Sequence, residues 1–186
     1  MADNNFVSVT EALDGFGGYD AVPREILEKA AARGTTVHKG CHAYGKKLWT
    51  PELKQCQSDP ELKGYFESFR LWFDEYVETV IACEIELTDP VNRIKGHPDL
   101  ICTLKGEPDP VGVDYKTPVT PQKTWKMQMA GYCHLARPTW PDLKRFFCLQ
   151  LDRAGRIAHA RVYDRQAQDV AVFIQAARVF NYIHGR

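Results

Sequence analysis

The sequence has no charge imbalance: 24 Lys and Arg residues match 24 Asp and Glu over 186 positions. A global basic field is therefore excluded, and any polyanion would have to be held by a local groove of Lys and Arg. The basic clusters available for that are Lys39, Lys46 and Lys47, then Lys116, Lys123 and Lys126, then Arg137, Lys144 and Arg145. CxxC pairs are also missing, since the six cysteines stand apart at 41, 56, 83, 102, 133 and 148. No secretory leader pattern and no long apolar run is found, so the expectation is a reducing cytoplasm, free thiols and no membrane contact. Repeats, low-complexity tracts and any sign of a second domain are lacking too. With 44% hydrophobic residues, residues 1–186 are expected to form one domain with its own core.

The stretch from Arg93 to Tyr132 contains three short patterns in order: Gly96-His97-Pro98-Asp99, Asp114-Tyr115-Lys116, and Gln128-Met129-Ala130-Gly131-Tyr132. Ile94, Leu100, Cys102 and Leu104 alternate as on a strand, with a bulge or bend expected at Gly96 and Pro98. Leu104 to Pro110 reads as a hairpin connection into a strand over 111–116. Side chains two apart on a strand share a face, so Asp114 and Lys116 project together and Tyr115 projects away. If the hairpin brings Asp99 beside Asp114, two carboxylates crowd one cleft, which is costly unless a cation neutralises them. Hard oxygen donors of that kind suit Mg²⁺ or Mn²⁺. With Lys116 close by, the chemistry this permits is metal-assisted hydrolysis of a phosphodiester.

Elsewhere the pattern predicts a loose tail over Met1–Asn5, a capping box between Ser8 and Glu11, and a glycine-rich loop over Asp14–Asp20. Pro23 opens a helix from Arg24 that is expected to stop near Gly34, with a second helix starting at Thr35 or Thr36. That second helix carries His38, Cys41 and His42 on one face, a possible zinc set that lacks a fourth ligand. Trp49 to Ser58 reads as a polar connection. Asp59 and Pro60 open a helix to about Val80 whose aromatic stripe is a core face or, alternatively, a base-stacking platform. Ile81 to Leu87 reads as a strand with Glu84 and Glu86 on one face. After Lys116, Pro118 and Pro121 end the strand, and a helix over Gln122–Leu135 places Trp125, Gln128 and Tyr132 on one side. Strands at Arg145–Leu151 and Ile157–Tyr163 form a hairpin, and a helix from Asp164 or Arg165 closes the chain.

The bent strand bearing Asp99, the following Asp114-x-Lys116 strand and the Gln128-x-x-x-Tyr132 helix resemble the PD-(D/E)xK nuclease superfamily, in its RecB-like branch. An upstream helical His38, within Arg33-Gly34-Thr35-Thr36-Val37-His38, resembles that branch as well. The likeness spans about Val7 to Leu151. It implies an α/β fold, a restriction-endonuclease-like core in which a central mixed sheet of about five strands is flanked by helices on both sides. It implies a divalent-metal-dependent DNA exonuclease of phage or bacterial recombination or repair type. In that case His38, Asp99, Asp114 and the Tyr115 main-chain carbonyl would bind Mg²⁺ or Mn²⁺, and Lys116 would orient or activate the water. Gln128 and Tyr132 would position substrate, and Glu84, rather than Glu86, would join the site. Some relatives hold an iron–sulfur cluster on a late Cys group; no Cys follows Cys148, so none is expected here. DNA ends or single strands are the expected partner, with a helicase or recombinase as a possible second one. The alternative is a catalytically silent DNA-binding or assembly subunit of the same fold.

Overall fold

The structure is a computed structural model that describes residues 6–14, 16, 22–118, 120–164 and 166–185. The expected tail Met1–Asn5, most of the glycine-rich loop and Arg165 lie outside the described residues. Strand β1 (Val7–Ser8) leads into a 3-10 turn (Glu11–Leu13). There Ser8 N–H donates to Glu11 Oε2 at 2.9 Å and Glu11 N–H to Ser8 Oγ at 3.0 Å, the reciprocal pair of a capping box.

Helix α1 runs unbroken from Arg24 to Gly45, followed by α2 (Pro51–Ser58) and α3 (Pro60–Tyr76). The break expected at Gly34 does not occur. A glycine costs a helix interior only about 1 kcal/mol, and burial of Val37, Gly40, Cys41 and Ala43 against α2 and α3 outweighs it. The polar connection expected after Trp49 is in fact α2. Thr50 Oγ1 accepts from Leu53 N–H at 3.2 Å and Pro51 fills the first turn, where a missing N–H costs nothing.

Helix α3 ends at Tyr76, short of Val80, because the β-branched run that follows enters β2 (Val77–Cys83). The strand expected over Ile81–Leu87 is therefore divided between β2 and β3 (Leu87–Asp89), with Glu84 between them in the left-handed region at φ 51°. Similarly, the single bent strand expected over 93–104 is two strands, β4 (Ile94–Gly96) and β5 (Leu100–Leu104), in different sheets. Gly96 is needed for close packing: an added Cβ would meet Val9, Leu135 and Tyr132 at 2.9–3.0 Å. The seven-residue connection expected after Leu104 shrinks to Lys105–Gly106, with Gly106 at φ 77°, before β6 (Glu107–Lys116). Helix α4 (Thr124–Ala136), strands β7 (Arg145–Gln150) and β8 (His159–Asp164), and helix α5 (Ala167–Ile183) complete the chain.

The main sheet is mixed and five-stranded, in the order β2-β5-β6-β7-β8, with only β6 and β7 parallel. A smaller sheet, β1-β4-β3, stands beside it. One core lies between the main sheet and α1–α3, and holds Phe66, Phe69, Trp72, Val113 and Tyr115. The other holds Ile101, Met129, Phe146 and Phe173, between the sheet and α4, α5 and the small sheet. The aromatic stripe of α3 is thus mainly core, with Phe69 5.1 Å from the Tyr115 ring, and only its last residue, Tyr76, is exposed. None of the described helices is long and apolar enough to cross a membrane.

Asp89 ties the small sheet to α4. Its Oδ1 accepts from Val91 and Asn92 N–H at 2.9 and 3.1 Å, and its Oδ2 lies 2.7 Å from His134 Nε2. Burial pushes its pKa up, but the hydrogen bonds from His134 and Asn92 outweigh burial and hold the carboxyl below its usual value of 3.8. A depressed carboxylate stabilises the fold above its unfolded pKa, and that stabilisation fades as pH falls through the folded value. Asp89→Asn should therefore lower stability at neutral pH by about 1–3 kcal/mol. In urea titrations the gap between wild type and variant should close as pH drops below about 4; a gap that persists at pH 2 would contradict this reading.

Candidate active site

Four strand ends meet at one edge of the main sheet. There β2 ends opposite the start of β5, and β6 ends beside the end of β7, through the pairs Cys83 with Leu100 and Lys116 with Gln150. Antiparallel pairing of Leu100 with Val113 carries on toward Asp99 and Asp114, so the hairpin does set these two carboxylates side by side. Both are almost wholly buried, at 5% and 4% exposure. Helix α1 reaches this edge from one side with His38, and α4 reaches it from the other with Gln128 and Tyr132.

The contacts form two linked sets. His38 Nδ1 lies 3.1 Å from Asp99 Oδ1, and Asp99 Oδ2 accepts from the Tyr115 N–H at 2.5 Å. Lys116 Nζ pairs with Asp114 Oδ2 and donates to Gln128 Oε1 at 2.8 Å. Gln128 Nε2 faces Asp114 Oδ1 at 3.2 Å and the Tyr132 hydroxyl at 3.3 Å. Asp114 and Lys116 therefore do point together, while the Tyr115 ring turns into the core and meets the His38 ring edge-on at 5.5 Å. Trp125, one turn before Gln128, has its ring centroid 5.9 Å from the Lys116 ammonium.

Gln128 holds both the ammonium and the carboxylate, so it is a positioning residue. Gln128→Ala should slow whatever reaction Lys116 and Asp114 support by about 10–100-fold, as the loss of an orienting partner does. Restoring the amide with Asn is expected not to rescue the rate, because the shorter arm cannot span both groups. A variant as fast as wild type would remove Gln128 from the site.

Electrostatics follow from burial. Desolvation and the neighbouring Asp99 charge push Asp114 up, against the opposing pull of Lys116. Asp99 is also desolvated, but the His38 charge and hydrogen bond, the Tyr115 N–H and Lys116 carry it below its usual value. Burial lowers the His38 imidazole, yet Asp99 and then Asp114 outweigh it and the net direction is up. The Lys116 ammonium behaves alike, with Asp114 overcoming burial. Glu84 stands at the mouth, open to solvent on one side and crowded by protein on the other. Desolvation and the Asp99 charge push it to about 7. By contrast, Glu86 faces outward to His97, with Oε2 3.3 Å from Nε2.

The Asp99 charge helps to push both Glu84 and Asp114 up, which marks a place where added positive charge is favourable. Asp114 Oδ2 is buried with no hydrogen-bond partner, only the adjacent ammonium. The donor chemistry of Asp99, Asp114, Glu84 and His38 thus fits a hard divalent cation. The same donors are internally neutralised by Lys116 and His38. Among the described residues no group of three or more His, Cys, Asp or Glu side chains is arranged as a metal site. The Tyr115 main chain reaches this edge through its N–H, which donates to Asp99.

The zinc set does not assemble either. Cys41 is fully buried, and desolvation raises its thiol well above the usual value, away from the thiolate a metal needs. All six cysteines are buried and none is joined in a disulfide.

Two clefts flank the site and share Thr35 and His38. One, of about 620 Å³, is lined by Glu84 and Asp99 together with Lys39, His42 and Leu48. The other, of about 630 Å³, is lined by Arg33, Lys116 and Thr117. With the geometry complete, the fold has known counterparts. Over 94% of this chain and 78% of the other, the structure is similar to a candidate exonuclease of Eubacterium rectale, with TM-score 0.51 and 16% identity. It is equally similar, at TM-score 0.51 and 10% identity, to an alkaline exonuclease of Laribacter hongkongensis, over 96% of this chain and 87% of that one. No protein-family model and no curated protein matches the sequence. The mixed α/β architecture is therefore that of a nuclease-like core. Sequence reasoning missed the rim residues Leu48 and Trp49. The signal was the Thr50-Pro51 helix start, which places both in a short exposed link.

Proposed function

We propose that this chain is a divalent-metal-dependent DNA exonuclease of the RecB-like PD-(D/E)xK kind, hydrolysing phosphodiester bonds at ends or on single strands. The observation that carries this reading is the convergence of His38, Asp99, Asp114, Lys116, Gln128 and Tyr132 at one sheet edge, from two helices on opposite faces. The nuclease-like fold and the exonuclease descriptions of two structural neighbours support it. Asp99, Asp114 and His38, with Glu84 at the mouth and the Tyr115 carbonyl, would hold Mg²⁺ or Mn²⁺. When bound, such an ion supplies an acidified water and offsets charge on the phosphate. Lys116, held by Asp114 and Gln128, would donate a hydrogen bond from its ammonium to the attacking water or a phosphate oxygen. Gln128, itself held by the Tyr132 hydroxyl, fixes that ammonium, and the buried Cys148 beside Asp114 on β7 limits water around the pair. A role beside a helicase or recombinase in repair is part of the same proposal.

The test is incubation with Mg²⁺ or Mn²⁺ and linear duplex, circular duplex and single-stranded DNA. Release of nucleotides from linear and single-stranded DNA, blocked by chelator, is expected. Inertness on all three, with either metal, would reject the reading. One observation favours the alternative of a silent DNA-binding or assembly subunit: His38 and Lys116 already neutralise the carboxylates. DNA retention without cleavage would select it.

A further inference from the structure

Trp49 is 75% exposed and Leu48 49% exposed, on a link between α1 and α2 that is fixed at both ends. At the α1 end the chain closes with Lys47 N–H on the Tyr44 carbonyl at 2.9 Å and Leu48 N–H on the Ala43 carbonyl at 2.8 Å, Lys47 being left-handed at φ 55°. At the α2 end Thr50 caps the helix. An indole presented to water on so rigid a link forfeits burial without gaining flexibility. Leu48 also lines the same cleft as His38, Glu84 and Asp99, so the ridge is continuous with the site. On its other side Leu48 and Trp49 border a second cleft, lined by Lys47 as well as by Asp74 and Glu78. Lys39, Lys46 and Lys47 stand exposed on the α1 side. Lys46 and Lys47 flank the ridge and can hold the phosphates of a strand that passes over it toward Asp99.

We infer that the Leu48–Trp49 ridge is a base-stacking element that receives an unpaired nucleobase of the strand entering the site. This rests on the proposed nuclease reading and adds the single-stranded character of the bound segment. Every base offers a π-face to an indole, so such a contact tolerates any sequence. Most aromatics of α3 cannot serve, being buried, and Tyr76 at its end is the exception at 46% exposure.

The experiment is binding of oligodeoxythymidylate without divalent metal, followed by tryptophan emission, with an abasic strand of equal length as the comparison. Of the four tryptophans, Trp72 and Trp125 are buried and Trp140 is half-buried against the core beside α4, so Trp49 is the indole most open to quenching by a stacked base, and the Trp49→Ala variant isolates its share of the signal. Wild type should bind the thymidylate strand about 5- to 150-fold more tightly than Trp49→Ala does, with quenching that the variant lacks. Trp49→Phe should keep most of the affinity, and the abasic strand should bind wild type about as weakly as Trp49→Ala binds thymidylate. Equal binding of both strands by wild type, or unchanged affinity and quenching in Trp49→Ala, would overturn the inference. If wild type nevertheless degrades linear DNA with metal, only the ridge has failed. If it neither binds nor cleaves, both readings fall.

Discussion

Asp114→Asn is expected to cut DNA cleavage by about 10³-fold or more, which corresponds to about 4 kcal/mol of lost transition-state stabilisation. The substitution removes a carboxylate charge from the meeting point of Asp99, Lys116 and Gln128 while keeping the volume of the side chain. From the sequence alone the fold would be expected to survive almost unchanged. The structure introduces two opposed effects. Burial makes the Asp114 charge costly, so its removal is partly favourable. Lys116, only 14% exposed in its side chain, loses its carboxylate partner and keeps the Gln128 carbonyl oxygen. Breaking a fully enclosed pair costs about 3–5 kcal/mol; here the remaining bond and the relief at Asp114 bring the net nearer about 1–3 kcal/mol. For a chain of this length that is a fall in Tm of roughly 3–10 °C. Adding Lys116→Met should recover most of that Tm and none of the activity. Retained cleavage in Asp114→Asn would end the site assignment, and an unchanged Tm in the double variant relative to the single one would end the account of the ion pair.

Gly64→Ala should destabilise the fold by about 2 kcal/mol or more, the opposite of what helix propensity dictates. In the interior of a solvated helix this change gains about 1 kcal/mol. Gly64, however, lies on α3 directly under the loop joining β7 to β8, and a methyl group there would overlap the Arg153 carbonyl oxygen. Overpacking of this kind typically costs about 1–3 kcal/mol, and more where the neighbour cannot yield. The loop cannot withdraw easily. Asp152 N–H donates to Ser68 Oγ at 2.8 Å, Ala158 N–H to the Ser68 carbonyl at 3.2 Å, and Gly155 turns at φ 77°. Urea denaturation checks the sign, with Lys63→Ala at an exposed neighbouring position expected to stay within about 0.5 kcal/mol of wild type. A Gly64→Ala chain as stable as wild type would mean that α3 and the loop do not pack as closely as described.

Much of the candidate site was legible in the chain because it obeys strand and helix periods. The two-residue spacing of Asp114 and Lys116 put them on one face, and the four-residue spacing of Gln128 and Tyr132 did the same on α4. What failed were boundaries decided by packing. Gly34 reads as a stop, but α1 continues through it because the contacts beyond it repay the local cost. Pro51 reads as a breaker, yet at a first helical turn it fits. The stretch from Arg93 to Leu104 reads as one strand because its alternation survives the crossing between sheets at His97-Pro98-Asp99.

The sequence by itself determined most element types, α2 excepted, and the polar residues that would share a face, since these depend on spacing along a single segment; the mixed sheet with helices on either side was implied by the resemblance those residues carry. Only the tertiary structure decided that Glu84 stands by Asp99 while Glu86 turns to His97, that Gln128 spans both Lys116 and Asp114, and that Trp49 is the indole left most in water. Those outcomes depend on how α1, α4 and four strand ends close on one another, and pair contacts between distant segments leave no period in the chain to read.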